Sequence, residues 1–352
     1  MSRADFRLSL VVPVYNEEES IDAFISAIDT ELAPLKDQLE IVFVNDGSRD
    51  RTREVVEQAI TRDPRVTLVN LARNFGKEAA MTAGLHQAKG DAIVPMDVDL
   101  QDPPSLILEF VKLWQTGDYD TVYGIRVDRS ADTPMKRLTA GGFYRFFNAL
   151  STSTKLPENA GDFRLIDRKV VEAIKQLPER NRFMKGLFAW AGFRAVGVPY
   201  ERPARHAGET KFNYWKLWNF ALDGLMSFSS WPLRVWSYIG VGVSFIAFLY
   251  ILKIITQVLF FGIDVPGYAS LMSVMLFLGG IQLLSLGIIG EYIGRMFVEV
   301  KQRPVYLIEG VYGQYAKQDE EQKQEVPTTS KKSAAKKAAA KAADDQQEQA
   351  SQ

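Results

Sequence analysis

Ala92-Ile93-Val94-Pro95-Met96-Asp97-Val98-Asp99-Leu100-Gln101-Asp102-Pro103-Pro104 is the stretch on which the reading of this chain turns. An apolar run ends in two carboxylates one residue apart, and a Pro-Pro pair stops it. In an extended segment alternate side chains point the same way, so the spacing puts Asp97 and Asp99 on one face. Two carboxylates side by side repel unless a cation sits between them. The chain has no Cys and two His, so ligands for a soft metal are lacking. Oxygen donors point to Mg²⁺ or Mn²⁺, which keep waters and take further oxygens from substrate phosphates. Taken alone, Asp-x-Asp also fits a solvated acidic turn after a strand, and the neighbouring segments decide between the two.

Toward the N-terminus, Leu8–Tyr15, Glu40–Val44 and Val66–Leu71 read as buried strands rich in β-branched residues, with Ala92–Met96 as the fourth. Between them, Ile21, Phe24, Ile25, Ile28 and Leu32 recur at helical spacing, and Glu78–Ala88 is a helix of small residues. Ser48 or Asp50 is placed to cap a helix after the second strand. Strands alternating with helices through short polar loops predict a parallel α/β sheet covered on both faces. Such sheets bind ligands outside the carboxyl ends of their strands. Those ends carry Tyr15-Asn16-Glu17, Asn45-Asp46-Gly47, Arg73-Asn74-Phe75-Gly76-Lys77 and Asp97-Val98-Asp99. Four polar clusters at four strand ends outweigh the solvated-turn reading. Lys77, just past a Gly turn, is either a positive charge for the site or an exposed first-turn lysine.

The chain has 352 residues, 47% of them hydrophobic, enough for one large domain and a further unit. Its formal net charge of −1 argues against nucleic acid as a partner, which needs a basic face. The absence of Cys excludes a disulfide framework and thiol catalysis, and fits a cytoplasmic site. The short polar N-terminus leads into no signal-peptide core, because the Leu8–Val14 run breaks at Pro13.

Beyond the first four strands, Asp120–Arg126 reads as another strand that delivers Arg126 to its end. Asp132-Thr133-Pro134 opens a helix whose apolar face includes Phe143, Phe146 and Phe147 and is flanked by Lys136, Arg137 and Arg145. That face suits either its own core or a membrane surface. Arg202–Phe212 is a basic, Gly-containing loop that reads either as a solvated basic loop or as a phosphate site, to which Arg205 and Lys211 are assigned, with Arg137 as a weaker candidate. Tyr214–Leu225 repeats as an interfacial amphipathic helix with Trp215, Lys216 and Trp231 nearby. Trp236–Gly262 and Leu271–Gly290 are each long enough to span a bilayer, with Lys253 the costly charge in the first. Arg234 precedes the spans, Arg295, Lys301 and Arg303 follow them, and the loop between holds only Asp264. The positive-inside rule then puts both ends in the cytoplasm. Gly240, Gly242, Gly279, Gly280, Gly287 and Gly290 permit close helix approach and hence oligomers. From about residue 317 the composition reads as a disordered tail.

The set Val12-Pro13-Val14-Tyr15-Asn16-Glu17, Asn45-Asp46-Gly47-Ser48, Arg73-Asn74-Phe75-Gly76-Lys77 and Asp97-Val98-Asp99-Leu100-Gln101-Asp102 resembles the motifs of family 2 glycosyltransferases. More narrowly it resembles the polyprenyl-phosphate glycosyltransferases, such as dolichol-phosphate mannose synthase and the bacterial bactoprenol glucosyltransferases (GtrB-like), in order over roughly residues 8–310. The resemblance implies a GT-A fold, Rossmann-like with a mostly parallel sheet, in four parts: catalytic domain 1–212, interfacial helix 213–233, two-helix transmembrane hairpin 234–300 and C-terminal segment 301–352. It implies that Pro13, Tyr15, Asn16, Glu17 and Asp46 hold the base and ribose of a nucleotide sugar, with Lys77, Val98 and Arg126 also at the donor. It places Asp97 and Asp99 on the metal–diphosphate and Gln101 near the sugar. Gly161-Asp162-Phe163-Arg164-Leu165 matches a motif near the acceptor, in which Asp162 is discussed as a base. A phosphate monoester is already largely a dianion at neutral pH, so Asp162 fits equally as a residue that orients Arg164 or an acceptor oxygen. The implied partners are a nucleotide sugar, UDP-glucose first, then GDP-mannose or a UDP-aminoarabinose type, and undecaprenyl phosphate in the inner membrane, with a homo-oligomer, tetrameric by resemblance. A processive polysaccharide synthase and a non-catalytic membrane scaffold are the distant rivals; the first lacks its Gln-x-x-Arg-Trp motif here.

Overall fold

The computed structural model describes residues 3, 5–127, 160–180, 182–201, 231–261 and 267–313 of the 352. The expected helix after Pro134, the basic loop with Arg205 and Lys211, the interfacial helix before Trp231 and the tail lie outside the described residues, as does Arg137.

Among the described residues one eight-stranded sheet runs in the order β7-β5-β6-β4-β1-β2-β3-β8. The strands are β1 (Leu8–Val14), β2 (Leu39–Asn45), β3 (Val66–Leu71), β4 (Ala92–Pro95), β5 (Thr121–Arg126), β6 (Ala160–Asp167), β7 (Ala195–Tyr200) and β8 (Ile308–Tyr312). β1 pairs in parallel with β2 and β4, β2 with β3, and β5 with β7; β6 and β8 run antiparallel to their neighbours. The helices are α1 (Ile21–Glu31), α2 (Thr52–Arg62), α3 (Lys77–Gln87), α4 (Leu106–Gln115), α5 (Arg168–Lys175), α6 (Met184–Trp190), α7 (Trp231–Phe261) and α8 (Tyr268–Val300). The four strands read from the N-terminal half are present, each within two residues of its expected ends.

Strand alternation sorts the core into two layers. Leu8, Leu10 and Val12 face a cluster with Phe24, Phe43 and Phe110, under α1 and α4. Val11 and Ile93 face the other side, with Met81, Leu85, Ile166 and Met184. α3 is made of small residues because it lies close on the sheet: a Cβ on Gly84 would collide with the side chains of Val11 and Val44. Burying both faces of β1 and β2 this way leaves their carboxyl ends as the free surface.

The helix cap expected after β2 differs in detail. Arg51 occupies the N-cap of α2, and Asp50, one residue earlier, accepts from the Thr52 N–H at 3.1 Å and the Thr52 hydroxyl at 2.6 Å. Asp50 therefore serves an orphan donor of the first turn from outside the cap position.

α7 and α8 have 31 and 33 residues, about 45–50 Å each at 1.5 Å per residue. They contact one another. Within α8, Phe277–Val300 is long and apolar enough to cross a membrane, with mean hydropathy 1.4 and none of its most apolar window buried. In α7 the described apolar stretch is shorter, Tyr238–Tyr250. Phe245, Ile246, Leu283 and Leu286 are all more than 60% exposed. An apolar surface of this kind calls for cover by lipid or another apolar partner.

Beyond α8 the chain returns to the sheet. Leu307 C=O accepts from the Ala72 N–H at 3.0 Å, and β8 pairs with β3 across a register shift at Asn70/Leu71. The segment after α8 therefore supplies an edge strand of the sheet.

Candidate active site

The chain leaves β1 toward β2 on one side, and β4 pairs on the other, so the sheet has its topological switch between β1 and β4. Such a crevice is where open α/β sheets take ligands. β6 is antiparallel to β4 with Ala92 opposite Asp167 and Ile93 opposite Ile166. That register, continued along the pair, brings the start of β6, with Asp162, alongside Asp97. β5 and β7 end on the same side with Arg126 and Tyr200. The resulting cleft is lined by Pro13, Met81, Pro95, Met96, Asp97, Asp102, Arg126, Asp162 and Phe163.

The two central carboxylates differ from the sequence-based picture in one respect. β4 stops at Pro95, and the residues from Val98 turn, with Leu100 at φ 55°. Alternation along an extended strand is therefore not what relates Asp97 to Asp99. Val98 is buried in the apolar core between them, so its side chain anchors the turn. Asp99 accepts from the Gln101 N–H at 3.2 Å, and Gln101 is itself largely buried.

Lys77, the first residue of α3, reaches into the cleft. Its Nζ lies 2.6 Å from Asp97 Oδ1 and 3.8 Å from Asp162 Oδ2. Lys77 is thus both an exposed first-turn residue, with 45% of its side chain accessible, and a cation held beside the cleft by Asp97. Burial lowers the Lys77 pKa, but Asp97 and Asp162 outweigh that and raise it. Gly76, at φ 97°, makes the turn that starts α3 here.

Asp162 and Arg164 lie on one face of β6, and Phe163 faces the core against Phe110 and Tyr200. Lys185 Nζ of α6 stands 3.7 Å from Asp162 Oδ1. Burial pushes the Asp162 carboxyl up, but Lys185, Lys77, Arg164 and Arg126 together hold it below the usual range. Arg164 donates to the Gly161 carbonyl at 2.8 Å and stacks on Phe188 at 4.5 Å. Glu78, next to Lys77, accepts from the Met184 N–H at 3.1 Å; burial and the nearby Asp162 push its pKa up to about 7.

Arg126 belongs to a second group. Tyr200 donates its hydroxyl proton to Asp102 Oδ1 at 2.6 Å, and Arg126 Nε donates to the Tyr200 hydroxyl at 3.3 Å. Burial, then Asp102, raises the Tyr200 pKa to about 12, so the phenol stays protonated. Gly124 must lack a side chain, since a Cβ there would sit 2.6 Å from the Tyr200 ring.

The expected nucleotide residues line the neighbouring loops. Asn16, at φ 54°, donates its N–H to the Ser48 hydroxyl at 3.0 Å and accepts from the Arg49 N–H at 2.9 Å. Glu17 donates its N–H to Thr52 at 2.9 Å. These bonds tie the loop after β1 to the loop after β2, with Pro13 in the cleft wall and Tyr15 partly exposed. Asp46 is buried and accepts from the Phe75 and Gly76 N–H groups at 2.7 and 2.9 Å; burial raises its pKa against those bonds. It thus sets the loop that delivers Lys77.

Four residues at the site were not singled out from sequence: Asp102, Tyr200, Glu78 and Lys185. Asp102 carried a signal, as the third carboxylate of the decisive stretch. The others are brought in by sheet register and by α6 packing, which no local pattern displays. Among the described residues no group of three or more His, Cys, Asp or Glu could hold a metal. Asp97, which lines the cleft, offers carboxylate oxygens of the kind a hard cation takes.

The chain matches Glycosyl transferase family 2 over residues 9–175 and the GtrB C-terminal hairpin over residues 231–296. An uncharacterized glycosyltransferase of Synechocystis is 52% identical over 306 residues, 87% of this chain and 96% of the relative. The SfII prophage-derived bactoprenol glucosyl transferase of Shigella flexneri is 52% identical over 305 residues, 86% of this chain and 97% of that one. A prophage bactoprenol glucosyl transferase homolog of Escherichia coli is 51% identical over 306 residues, 87% and 99% of the two chains.

Proposed function

This chain belongs to glycosyl transferase family 2, together with bactoprenol glucosyl transferases, and from that premise we propose that it moves one sugar from a nucleotide sugar to the phosphate of a membrane polyprenyl phosphate. UDP-glucose is the donor and undecaprenyl phosphate the acceptor in this reading, and the product is a lipid-linked sugar for a later glycan. The observation that carries it is the line Asp97–Lys77–Asp162 across one cleft, in a chain that also holds a membrane-length apolar helix.

An acceptor phosphate oxygen bonds to the anomeric carbon, and the bond from that carbon to the diphosphate breaks with its electron pair, inverting the centre. Asp97 and Asp99 would hold Mg²⁺ or Mn²⁺, which supplies positive charge to the departing diphosphate. Lys77 adds a fixed cation on the same side and neutralises Asp97 and Asp162. Gln101 is held by the turn near the sugar. Asp162, held ionised by its cationic neighbours, is a weak proton acceptor. The acceptor phosphate, with its second pKa near 6, requires no base. Asp162 therefore orients cations and the incoming phosphate. Loops bearing Pro13, Tyr15, Asn16, Glu17 and Asp46 hold the nucleotide, and Arg126, braced by Tyr200, faces its diphosphate. Arg137, Arg205 and Lys211 remain candidates for the acceptor phosphate.

In this reading α7 and α8 form a two-span hairpin in the inner membrane, with the catalytic domain in the cytoplasm. Gly240, Gly242, Gly279 and Gly280 have no neighbour within 4 Å of a would-be Cβ, which supports close approach of a second copy and a homo-oligomer.

The test supplies purified protein in detergent with undecaprenyl phosphate, Mn²⁺ or Mg²⁺ and a panel of UDP- and GDP-sugars, with mass spectrometry of the lipid. We expect one hexose per lipid from UDP-glucose, and Asp97→Asn to slow transfer by about 10²-fold or more, the scale of removing one electrostatic stabiliser. A polymeric product, or no lipid product from any donor, sinks the reading.

A further inference from the structure

Asp162 is bracketed by two ammonium groups. Lys77 stands 3.8 Å from one carboxylate oxygen and Lys185 3.7 Å from the other. Both distances exceed direct hydrogen-bond length, so each lysine is drawn to Asp162 without being bound by it. Lys77 is also held at 2.6 Å by Asp97, one of the two proposed metal ligands. No described carboxylate holds Lys185 closer than Asp162 does. The contacts therefore run from Asp97 to Lys77, from Lys77 to Asp162 and from Asp162 to Lys185.

The element that carries Lys185 points the same way. α6 is fixed to the active-site helix α3, because the Met184 N–H donates to Glu78. The loop before α6 is fixed to the end of α8, because the Arg180 N–H donates to Glu299 at 2.8 Å and the Arg180 guanidinium donates to the Gln302 carbonyl at 3.2 Å. Lys185 thus sits on the segment that joins the apolar helix to the cleft. In the proposed reading that helix lies in the membrane, so a lipid-borne phosphate arrives from its side.

We infer that Lys185 binds the phosphate of the lipid acceptor and that Asp162 holds its ammonium in place until the phosphate arrives. The inference rests on the proposed transfer to a lipid phosphate. A lysine suits this role because its compact charge and flexible stem let it exchange a carboxylate for a phosphate oxygen.

The experiment uses full-length protein in detergent and the variants Lys185→Met and Lys185→Arg. Binding of dodecyl phosphate is measured by calorimetry without donor, alongside binding of the nucleotide sugar. Where transfer is observed, KM and kcat are measured for both substrates. We expect Lys185→Met to weaken dodecyl phosphate binding and raise the acceptor KM at least 10-fold, leave the nucleotide-sugar Kd unchanged, and be partly rescued in Lys185→Arg. Unchanged alkyl phosphate binding, or a weakened nucleotide-sugar Kd in Lys185→Met, overturns the inference. Alkyl phosphate binding that depends on Lys185 in a protein that transfers no sugar would sink the transfer reading and leave the phosphate site standing.

Discussion

Glu78 is a carboxyl that keeps its proton until about pH 7 while an unfolded chain gives it up near 4.5. Between those values the folded state binds more protons, so stability falls as pH rises through the window. The groups facing it are Asp162, which disfavours its ionisation, and Lys77 and Lys185, which favour it. Glu78→Gln keeps an acceptor for the Met184 N–H and removes the titration. The variant should therefore match the wild type near pH 5 and exceed it at pH 8, by on the order of 1–3 kcal/mol. Thermal unfolding midpoints between pH 5 and 8.5 check this, and parallel profiles for the two proteins would refute it. The sequence showed Glu78 only as the first residue of a small-residue helix. Its burial depends on α6, about 100 residues later, and on the start of β6. Asp97 was legible because its strand and its stop are local. The turn that follows was not, since the apolar anchor Val98 reads equally well as one more strand residue.

At the scale of elements, β8 is the strand the sequence concealed. Ile308-Glu309-Gly310-Val311-Tyr312 is short, contains a Gly, and pairs with a strand more than 230 residues earlier. No local alternation can announce such an edge. Its attachment is polar as well as apolar. Ser48 N–H donates to Asn45, Asn45 donates to Asn70 at 2.6 Å, and Asn70 donates to Glu309 at 2.6 Å. Arg53 adds a bond to the Tyr312 hydroxyl at 3.0 Å. Both asparagines are buried, so Glu309→Ala leaves an Asn70 donor unpaired at a cost of about 1–3 kcal/mol. Glu309→Gln, which keeps an acceptor, should lose less. Denaturant midpoints of the two variants test this, and equal losses would mean that the carboxylate contributes charge and not a hydrogen bond. The chain of bonds ends at Ser48, whose hydroxyl takes the Asn16 N–H, so the strand beyond the apolar helices braces the loops around the proposed nucleotide site.

For the whole molecule, the question is which way the hairpin runs. Arg295, Lys301 and Arg303 cluster at the end of α8, whereas the connection between α7 and α8 carries only Asp264. Such an asymmetry retains the basic ends on the cytoplasmic side. The return of the chain from α8 to β8 requires the sheet to lie at that same end. The second argument puts the cleft and the basic ends on one side, and in the proposed two-span reading the first makes that side the cytoplasm, with the α7–α8 connection opposite. The absence of Cys makes this directly measurable, since any introduced thiol is the only one. Ser270→Cys, exposed near the start of α8, should react with a membrane-impermeant maleimide in sealed right-side-out vesicles. Ser26→Cys, on an exposed position of α1, should react only after the vesicles are opened. The reverse pattern would invert the hairpin, and would also deny the catalytic cleft its cytoplasmic nucleotide sugar. Labelling of both sites from outside would mean that α7 and α8 do not cross as a pair, because the connection would then lie on the same side as the sheet.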